Sequence, residues 1–485
     1  MKNKFFITTP IYYVNDQPHI GSAYTTIAAD VLARFHRFYG DDTFFLTGTD
    51  EHGAKVEAKA SDNGMEPKVF VDDVSEKFRK VWKELNISND NFIRTTDEHH
   101  IKAVQNTLQY LYDKGDIYKG DYKGLYCRGC EQFKNEKDLV DGKCSDHDKE
   151  PEEICEESYL FKLSKYSDEL LNKIKTDKFK ITPIERKNEV ISFYEKEGLN
   201  DISFSRQNVS WGIPLPWDKS HTAYVWADAF LNYLTGLGWD PSTGSASSPQ
   251  ASSGQVSKFW PPEIQLIGKD ILRVHATIWP AMLLALGLPL PKLLFVHGFF
   301  LVKGKKMSKS LGNTITPSQM IEKYGVDATR YLLISAATFG RDADISWEWL
   351  DEKFNADLAN GLGNLVARVS NMLEKNNIEL ELISSKENKY FEEFNKLIDN
   401  LQLDEALKYI WSIIKYQDEE LSTKAPWKIK EADQVKTILA PIAQNILDIS
   451  HLLSPFMPSI SEKIITQFSQ KKVKKGESLF PRLTL

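Results

Sequence analysis

The chain opens on an apolar run and then changes period. Residues 5–8 read as a short strand that Pro10 ends, with a loop on to Pro18. From Ser22 the apolar residues fall at helical spacing: Ile27, Val31, Phe35 and Phe38. "TFFLTGTDEHG" gives a second strand over 43–47, closed by a Gly-rich polar turn. The pattern returns late, where "IQLIGKDILRVHATIWPAMLLALG" and "KLLFVHGFFLVKG" again alternate short apolar strands with helix. Alternation at this pace predicts a parallel α/β sheet. Such sheets bind ligands at the carboxyl ends of their strands, where a helix N-terminus can face an anion.

Between the two halves, residues 116–204 are richer in Lys and Glu and hold all four cysteines, so they look like an insertion. Residues 240–257, "DPSTGSASSPQASSGQVS", have too little to bury and read as a flexible surface loop. After about residue 345 the strand signal stops. Phe354, Leu358, Leu362, Leu365, Val369, Met372 and Leu373 recur at helical spacing, and so do Ile410, Ile413 and Ile414, then Ile442, Ile446, Ile449, Leu452 and Leu453. That predicts an all-helical C-terminal domain.

Composition adds bounds. A chain of 485 residues has room for about three domains. Its net charge of −7 carries no bulk basic signature, so a polyanion must meet local patches such as 303–309 or 471–475. The start, "MKNKFFITTPIYY", has no long apolar core and no small-residue cleavage site. The most apolar stretch, 278–296, contains Pro280, Pro289, Pro291 and Lys292, and reads as a buried helix plus a loop, not a membrane span. Four clustered cysteines suggest a reducing cytoplasm and a local metal site.

The cysteines come as Cys127-Arg-Gly-Cys130 and Cys144-Ser-Asp-His147, thirteen residues apart. Three thiolates and an imidazole suit one tetrahedral, closed and therefore structural Zn²⁺. The alternative is four unrelated residues in a polar insertion. Cys155 is left as a spectator. In "PHIGS", His19, Gly21 and Ser22 stand where the first loop becomes the first helix. Backbone N–H groups there can meet phosphate, Gly21 permits close approach and His19 can donate. The same residues also fit an ordinary loop histidine with a capping serine. In "GKKMSKSLGN", Lys306 and Lys309 lie on a cationic loop after the last strand. Such a loop can stabilise charge building on a departing pyrophosphate, and mobility would admit nucleotide.

"PHIGS" and "KMSKS" resemble the two signatures of class I aminoacyl-tRNA synthetases. "TTPIYYVN", "TGTDEHG", "WGIPLPW", "YVWADAFLNYL", "GKDILRVHATIWPAML", "KMSKSLGN" and "KAPW" resemble the methionyl-tRNA synthetase family, in its order and across nearly the whole chain. The resemblance implies a Rossmann-type catalytic domain over 1–115 and 205–313, split by a zinc-bearing connective insertion at 116–204. A stem-contact region at 314–350 and an α-helical anticodon-binding bundle at 351–485 complete it. It implies attack of L-methionine on Mg-ATP to give methionyl-adenylate, then transfer to the terminal adenosine of tRNA(Met).

The family's amino-acid pocket falls here on Ile11, Tyr13, Asp50, Trp226, Ala229, Tyr233, Ile271 and His275, with Asp50 holding the substrate ammonium. Its ATP site falls on His19, Gly21, Ser22, Gly268, Asp270, His297, Lys306 and Lys309, of which His19, Lys306 and Lys309 carry the catalysis. Its anticodon readers fall on Asn364, Arg368, Pro426 and Trp427. Taken alone, Trp226 and Tyr233 would be a core helix stripe, His275 a satisfied core histidine, Trp427 core, and Arg368 a surface ion-pair partner. Two departures stand out: Ser22 replaces the signature's usual second histidine, and Gln417 stands where the family often has Asn. The chain's end at Leu485 leaves no room for an extra dimerising domain, so a cytoplasmic monomer is expected. The rivals are another class I synthetase, a small-molecule nucleotidyltransferase, and a zinc-ribbon RNA-binding protein without catalysis.

Overall fold

The computed structural model describes residues 3–127, 132–134, 139–144, 149–207, 209–241, 254–302, 304–307, 313–385 and 388–484. Contacts divide the chain into two compact units. One is Met1–Pro18, Asp41–Lys80 and Asn89–Val296; the other is His19–Gly40, Val81–Ser88 and His297–Leu485.

The first unit is built on a six-stranded sheet. Its strands are β1 (Lys4–Tyr13), β2 (Asp42–Asp50), β3 (Asn91–Arg94), Lys180–Thr182, Ile264–Gly268 and Leu293–His297. β3, β2 and β1 are followed across the sheet by Ile264–Gly268, Leu293–His297 and Lys180–Thr182. β1 pairs in parallel with β2 and with Ile264–Gly268. β3 and Lys180–Thr182 extend the edges in the same sense.

Two strand ends differ from the sequence reading, and both differences shape the site. β1 does not end at Pro10. It runs on to Tyr13 through a register shift between Thr8 and Ile11. A bulge tolerates proline's missing N–H and re-aims the residues beyond it. The shift sets Ile11 opposite Gly48 and Tyr13 opposite Asp50. β2 likewise continues past Thr47 to Asp50. Only glycine fits at 48, because a Cβ there would lie 2.0 Å from the Ile93 carbonyl oxygen on β3.

The stretch expected as an insertion, 116–204, is not wholly separate. Ile117–Cys127 and Glu152–Phe161 form the centre of a four-stranded sheet, pairing antiparallel with each other. Lys180–Thr182, however, joins the edge of the parallel sheet, where Ile181 is buried in the main core. Three residues are too few for alternation to show in sequence. Of the Ser-rich loop, 242–253 lies outside the described residues, and its last residues are not loop but open the helix Gly254–Phe259.

The second unit contains helix α1 (Ile20–Phe38) and the helical C-terminal part. After Ala343–Asp344 the described residues contain helices and no further strand. A π-helical stretch, Phe354–Gly363, runs directly into the helix Asn364–Lys375. Phe391–Asp399, Leu403–Lys424, Ala432–Leu453 and Pro458–Phe468 follow. The bundle core holds the predicted stripe: Leu358, Leu362, Leu365, Val369 and Leu373 are buried, as are Ile410, Ile442 and Ile446.

Candidate active site

The expected site residues divide between the units. In the first, Tyr13 and Asp50 end β1 and β2, and Ile271 follows the strand Ile264–Gly268. Tyr13 and Trp226 pack against one small cluster, Tyr126, Tyr224 and Val225. Ile11, Trp226 and Ile271 lie half-buried against the main core that holds Tyr233. Trp226 and Tyr233 do not form one stripe. They belong to two short helices, Val225–Ala229 and Asn232–Thr235, with Ala229 buried on the first. Gly268 closes the strand Ile264–Gly268, and exposed Asp270 comes after it.

Tyr233 and His275 form a neutral pair. The His275 Nδ1–H donates to the Ile271 carbonyl at 2.9 Å, so Nε2 accepts from the Tyr233 hydroxyl at 2.8 Å. Burial pushes His275 down to about 4, against a smaller upward pull from the Ile271 carbonyl. Burial also raises the Tyr233 phenol. The geometry therefore agrees with the satisfied core histidine as much as with a pocket wall. A neutral, polarizable wall suits an uncharged thioether, whereas a charged side chain would be left unpaired against it.

A network that sequence reasoning missed lies behind this wall. Asp228 accepts from His52 Nδ1 and from His100 Nε2, each at 2.7 Å. Burial opposes the charge, but His52 and His100 outweigh it and hold the Asp228 carboxyl below its usual range. His100 Nδ1 meets the Thr235 hydroxyl at 2.7 Å. Next to His52, Glu51 receives Arg94 in a two-pronged pair at 2.7 and 2.8 Å, and Arg94 reaches Asp72 at 2.5 Å. "TGTDEHG" and "YVWADAF" are thus tied together by the His52–Asp228 hydrogen bond, two residues beyond Asp50.

In the second unit, α1 starts at Ile20, two residues earlier than its apolar spacing suggested, with His19 as its cap. The His19 Nδ1 accepts the Gly21 N–H at 3.0 Å. A neutral ring then carries its hydrogen on Nε2, which can donate outward from this exposed residue. A Cβ on residue 21 would lie 2.8 Å from the His19 ring, so Gly21 is what lets the ring sit there. The Ser22 hydroxyl donates to the His19 carbonyl at 2.7 Å and accepts the His19 N–H at 3.2 Å. Ser22 thus completes the capping box at the helix start.

His297 is buried. Its Nδ1 donates to the Gly298 carbonyl at 2.8 Å and its Nε2 meets the Thr25 hydroxyl at 2.7 Å. Burial pushes it down to about 4. Thr25 stands one turn into α1, so His297 holds that turn. The backbone of Lys306 pairs with Leu301 in a short hairpin. Lys309 lies outside the described residues.

In the bundle, Asn364 and Arg368 are half-buried on the helix that the π segment feeds, a feature common at functional sites. The Arg368 guanidinium lies 5.3 Å from the Trp427 ring centroid and pairs with Asp418 at 2.6 Å. Arg368 is therefore an ion-pair partner, but Trp427 is not core: it is 51% exposed, raised by a left-handed Ala425 and a buried Pro426. Gln417 is buried and accepts from Asn445 at 2.9 Å. Cys127 and Cys144, two of the four expected zinc donors, are both buried. Among the described residues, no cluster of three or more His, Cys, Asp or Glu side chains could hold a metal. Cys130 and His147 lie outside the described residues.

The parallel sheet, with helices between its strands, sets the class: an α/β protein. Comparison narrows this. A model of class I tRNA synthetases (M) matches residues 5–150 and 134–370. A model of the anticodon-binding domain of tRNA ligases matches 381–482. The methionine–tRNA ligase of Clostridium acetobutylicum is 42% identical over 99% of this chain and 78% of its own length. That of Rickettsia bellii is 41% identical over 100% of this chain and 96% of its own length. Mycobacterium tuberculosis methionyl-tRNA synthetase in complex with methionyl-adenylate superposes with a TM-score of 0.89 at 36% identity, covering 100% of this chain and 99% of that one. The chain belongs to the methionine branch of the class I aminoacyl-tRNA synthetases.

Proposed function

We propose how this family member joins L-methionine to tRNA(Met) at the expense of ATP. In the first step the methionine carboxylate attacks the α-phosphate, forming methionyl-adenylate and releasing pyrophosphate. In the second, the 3′-terminal adenosine hydroxyl of the tRNA takes the methionyl group and AMP leaves. The full-length match at 42% identity, spanning both the catalytic and the anticodon halves, carries this reading.

Asp50 takes the substrate ammonium. Ile11, Tyr13, Trp226, Ala229, Tyr233, Ile271 and His275 line the thioether. No side chain forms a covalent bond to substrate, so rate comes from positioning and charge stabilisation. His19 Nε2–H and the N-terminus of α1 meet phosphate oxygens, a role supported by the His19–Gly21 hydrogen bond. Ser22 acts through the cap, which keeps that helix start without a second histidine. Gly268 and Asp270 serve the ribose. His297 borders the adenine while holding Thr25. ATP enters with Mg²⁺, and Lys306 and Lys309 stabilise the leaving pyrophosphate, each charged donor worth about 3 kcal/mol in kcat.

Trp427, seated by Pro426, stacks on a splayed anticodon base while Asn364 and Arg368 bond base edges. One structural Zn²⁺ is held by Cys127, Cys130, Cys144 and His147 and fixes the insertion. No helix among the described residues is long and apolar enough to cross a membrane, and a cytoplasmic site of action fits the thiol ligands. The test is pyrophosphate exchange with each amino acid in turn. Methionine alone should support rapid exchange; faster exchange with leucine, isoleucine, valine or cysteine would overturn the assignment.

A further inference from the structure

The second unit contains a charge cluster that the proposed chemistry does not use. Asp30 and Arg330 are both 0% exposed and pair at 2.7 Å. Asp30 lies eleven residues beyond His19 on α1. It also accepts from Arg34 at 2.7 Å, and from the Ser88 N–H and hydroxyl at 2.7 and 2.6 Å. Arg330 lies on the helix Val326–Ile334. It donates to the carbonyls of Phe456 at 2.8 Å, Pro455 at 2.9 Å and Leu85 at 3.1 Å. Burial opposes both charges, yet Arg330 and Arg34 hold the Asp30 carboxyl below its usual range. One guanidinium thus gathers α1, the 85–88 segment and the turn between two bundle helices.

The same elements carry both signatures. α1 begins at the His19 cap. Val326–Ile334 comes after Pro317–Tyr324, the first helix after the lysine loop, which starts at a Thr316 cap. The two starts are joined directly, because the Ile20 N–H donates to the Ile315 carbonyl at 3.2 Å. A shift of α1 along Val326–Ile334 would therefore move His19 relative to the chain leaving the lysine loop.

We propose that the buried Asp30–Arg330 pair is a positioning device for ATP, setting the register of the His19 end of α1 against the segment that carries the lysine loop. A buried ion pair is weak evidence for a stabilising role, since apolar packing of similar volume commonly does as well. Its use lies in geometry: four directed hydrogen bonds from one planar group fix α1 in translation as well as distance. This rests on the reading of His19 as a phosphate-binding residue.

The test is Arg330→Lys, which keeps the charge but cannot reach all four acceptors, together with the milder Ser88→Ala, which removes one bond to Asp30. His19→Ala is the control. Steady-state pyrophosphate exchange gives KM for ATP, KM for methionine and kcat, and thermal melting is followed on the same samples. For Arg330→Lys the ATP KM should rise and exchange kcat/KM for ATP should fall by about ten- to a hundredfold, with the methionine KM unmoved. Ser88→Ala should shift the same parameter in the same direction, less far, and it decides the matter if Arg330→Lys does not fold. A purely structural pair would lower kcat per mole of protein and the melting temperature while leaving both KM values alone, and that result overturns the proposal. If His19→Ala raises the ATP KM and neither cluster variant does, positioning is wrong and the phosphate reading stands. If His19→Ala has no effect on it, the phosphate reading fails and takes the proposal with it.

Discussion

His275 and His297 are held neutral by burial, each pushed from 6.5 down to about 4. In the unfolded chain they take up a proton as pH falls through 6.5; in the folded protein they do not until about 4. Stability is therefore full above pH 6.5 and is lost on acidification across that window, by up to about 3 kcal/mol for each histidine. Urea melts between pH 7 and 4 should show this slope, and His275→Gln should remove about half of it, leaving the part due to His297. A stability that stays level from pH 6.5 to 4 would mean that the neutral pair with Tyr233 is wrongly drawn. The signature residues were legible at this scale because they are contiguous: "PHIGS" contains cap, glycine and serine together. The Asp228 network was not, because its histidine partners lie 176 and 128 residues away in the chain. No local spacing reports such a tie.

Among the elements, the α/β alternation and the helical C-terminal half were readable from period alone. The misread boundaries have physical causes. Proline ordinarily ends a strand, but a bulge at Pro10 absorbs it and carries Ile11 and Tyr13 on to face Gly48 and Asp50. Glycine ordinarily marks a turn, but Gly48 lies inside β2 because β3 leaves no space for a Cβ. That close approach makes Gly48→Ala a sharp probe of the site's scaffold. Its methyl would meet backbone, not a side chain that can swing aside. The variant should lose about 1–3 kcal/mol or more of stability, and its methionine KM should rise because Asp50 ends the same strand. Wild-type melting and an unchanged methionine KM would show that β2 and β3 part without consequence. The zinc site proposed for residues 116–204 offers a second element-scale test. Elemental analysis should find one zinc per chain, kept by Cys155→Ser and lost or strongly weakened by Cys144→Ser. Full zinc in the Cys144 variant would remove that thiol from the site.

For the molecule as a whole, amino-acid activation is proposed for residues of the α/β part and tRNA reading for the bundle. Composition could not have shown this. A net charge of −7 hides any tRNA surface, and an exposed tryptophan looks like a core one until its surroundings are known. Trp427 is half in solvent, with Arg368 5.3 Å from its ring, an arrangement ready for a base to stack upon. Stacking of this kind is worth about 1–3 kcal/mol per base by alanine substitution. A core tryptophan would instead cost about 3–5 kcal/mol of stability when truncated. The deciding measurement takes pyrophosphate exchange, tRNA(Met) charging and thermal melting on one preparation of Trp427→Ala. Charging kcat/KM is predicted to fall by about tenfold or more, while exchange and melting stay close to wild type. Exchange and charging lost in parallel, with a lowered melting temperature, would contradict the division of labour between the two halves.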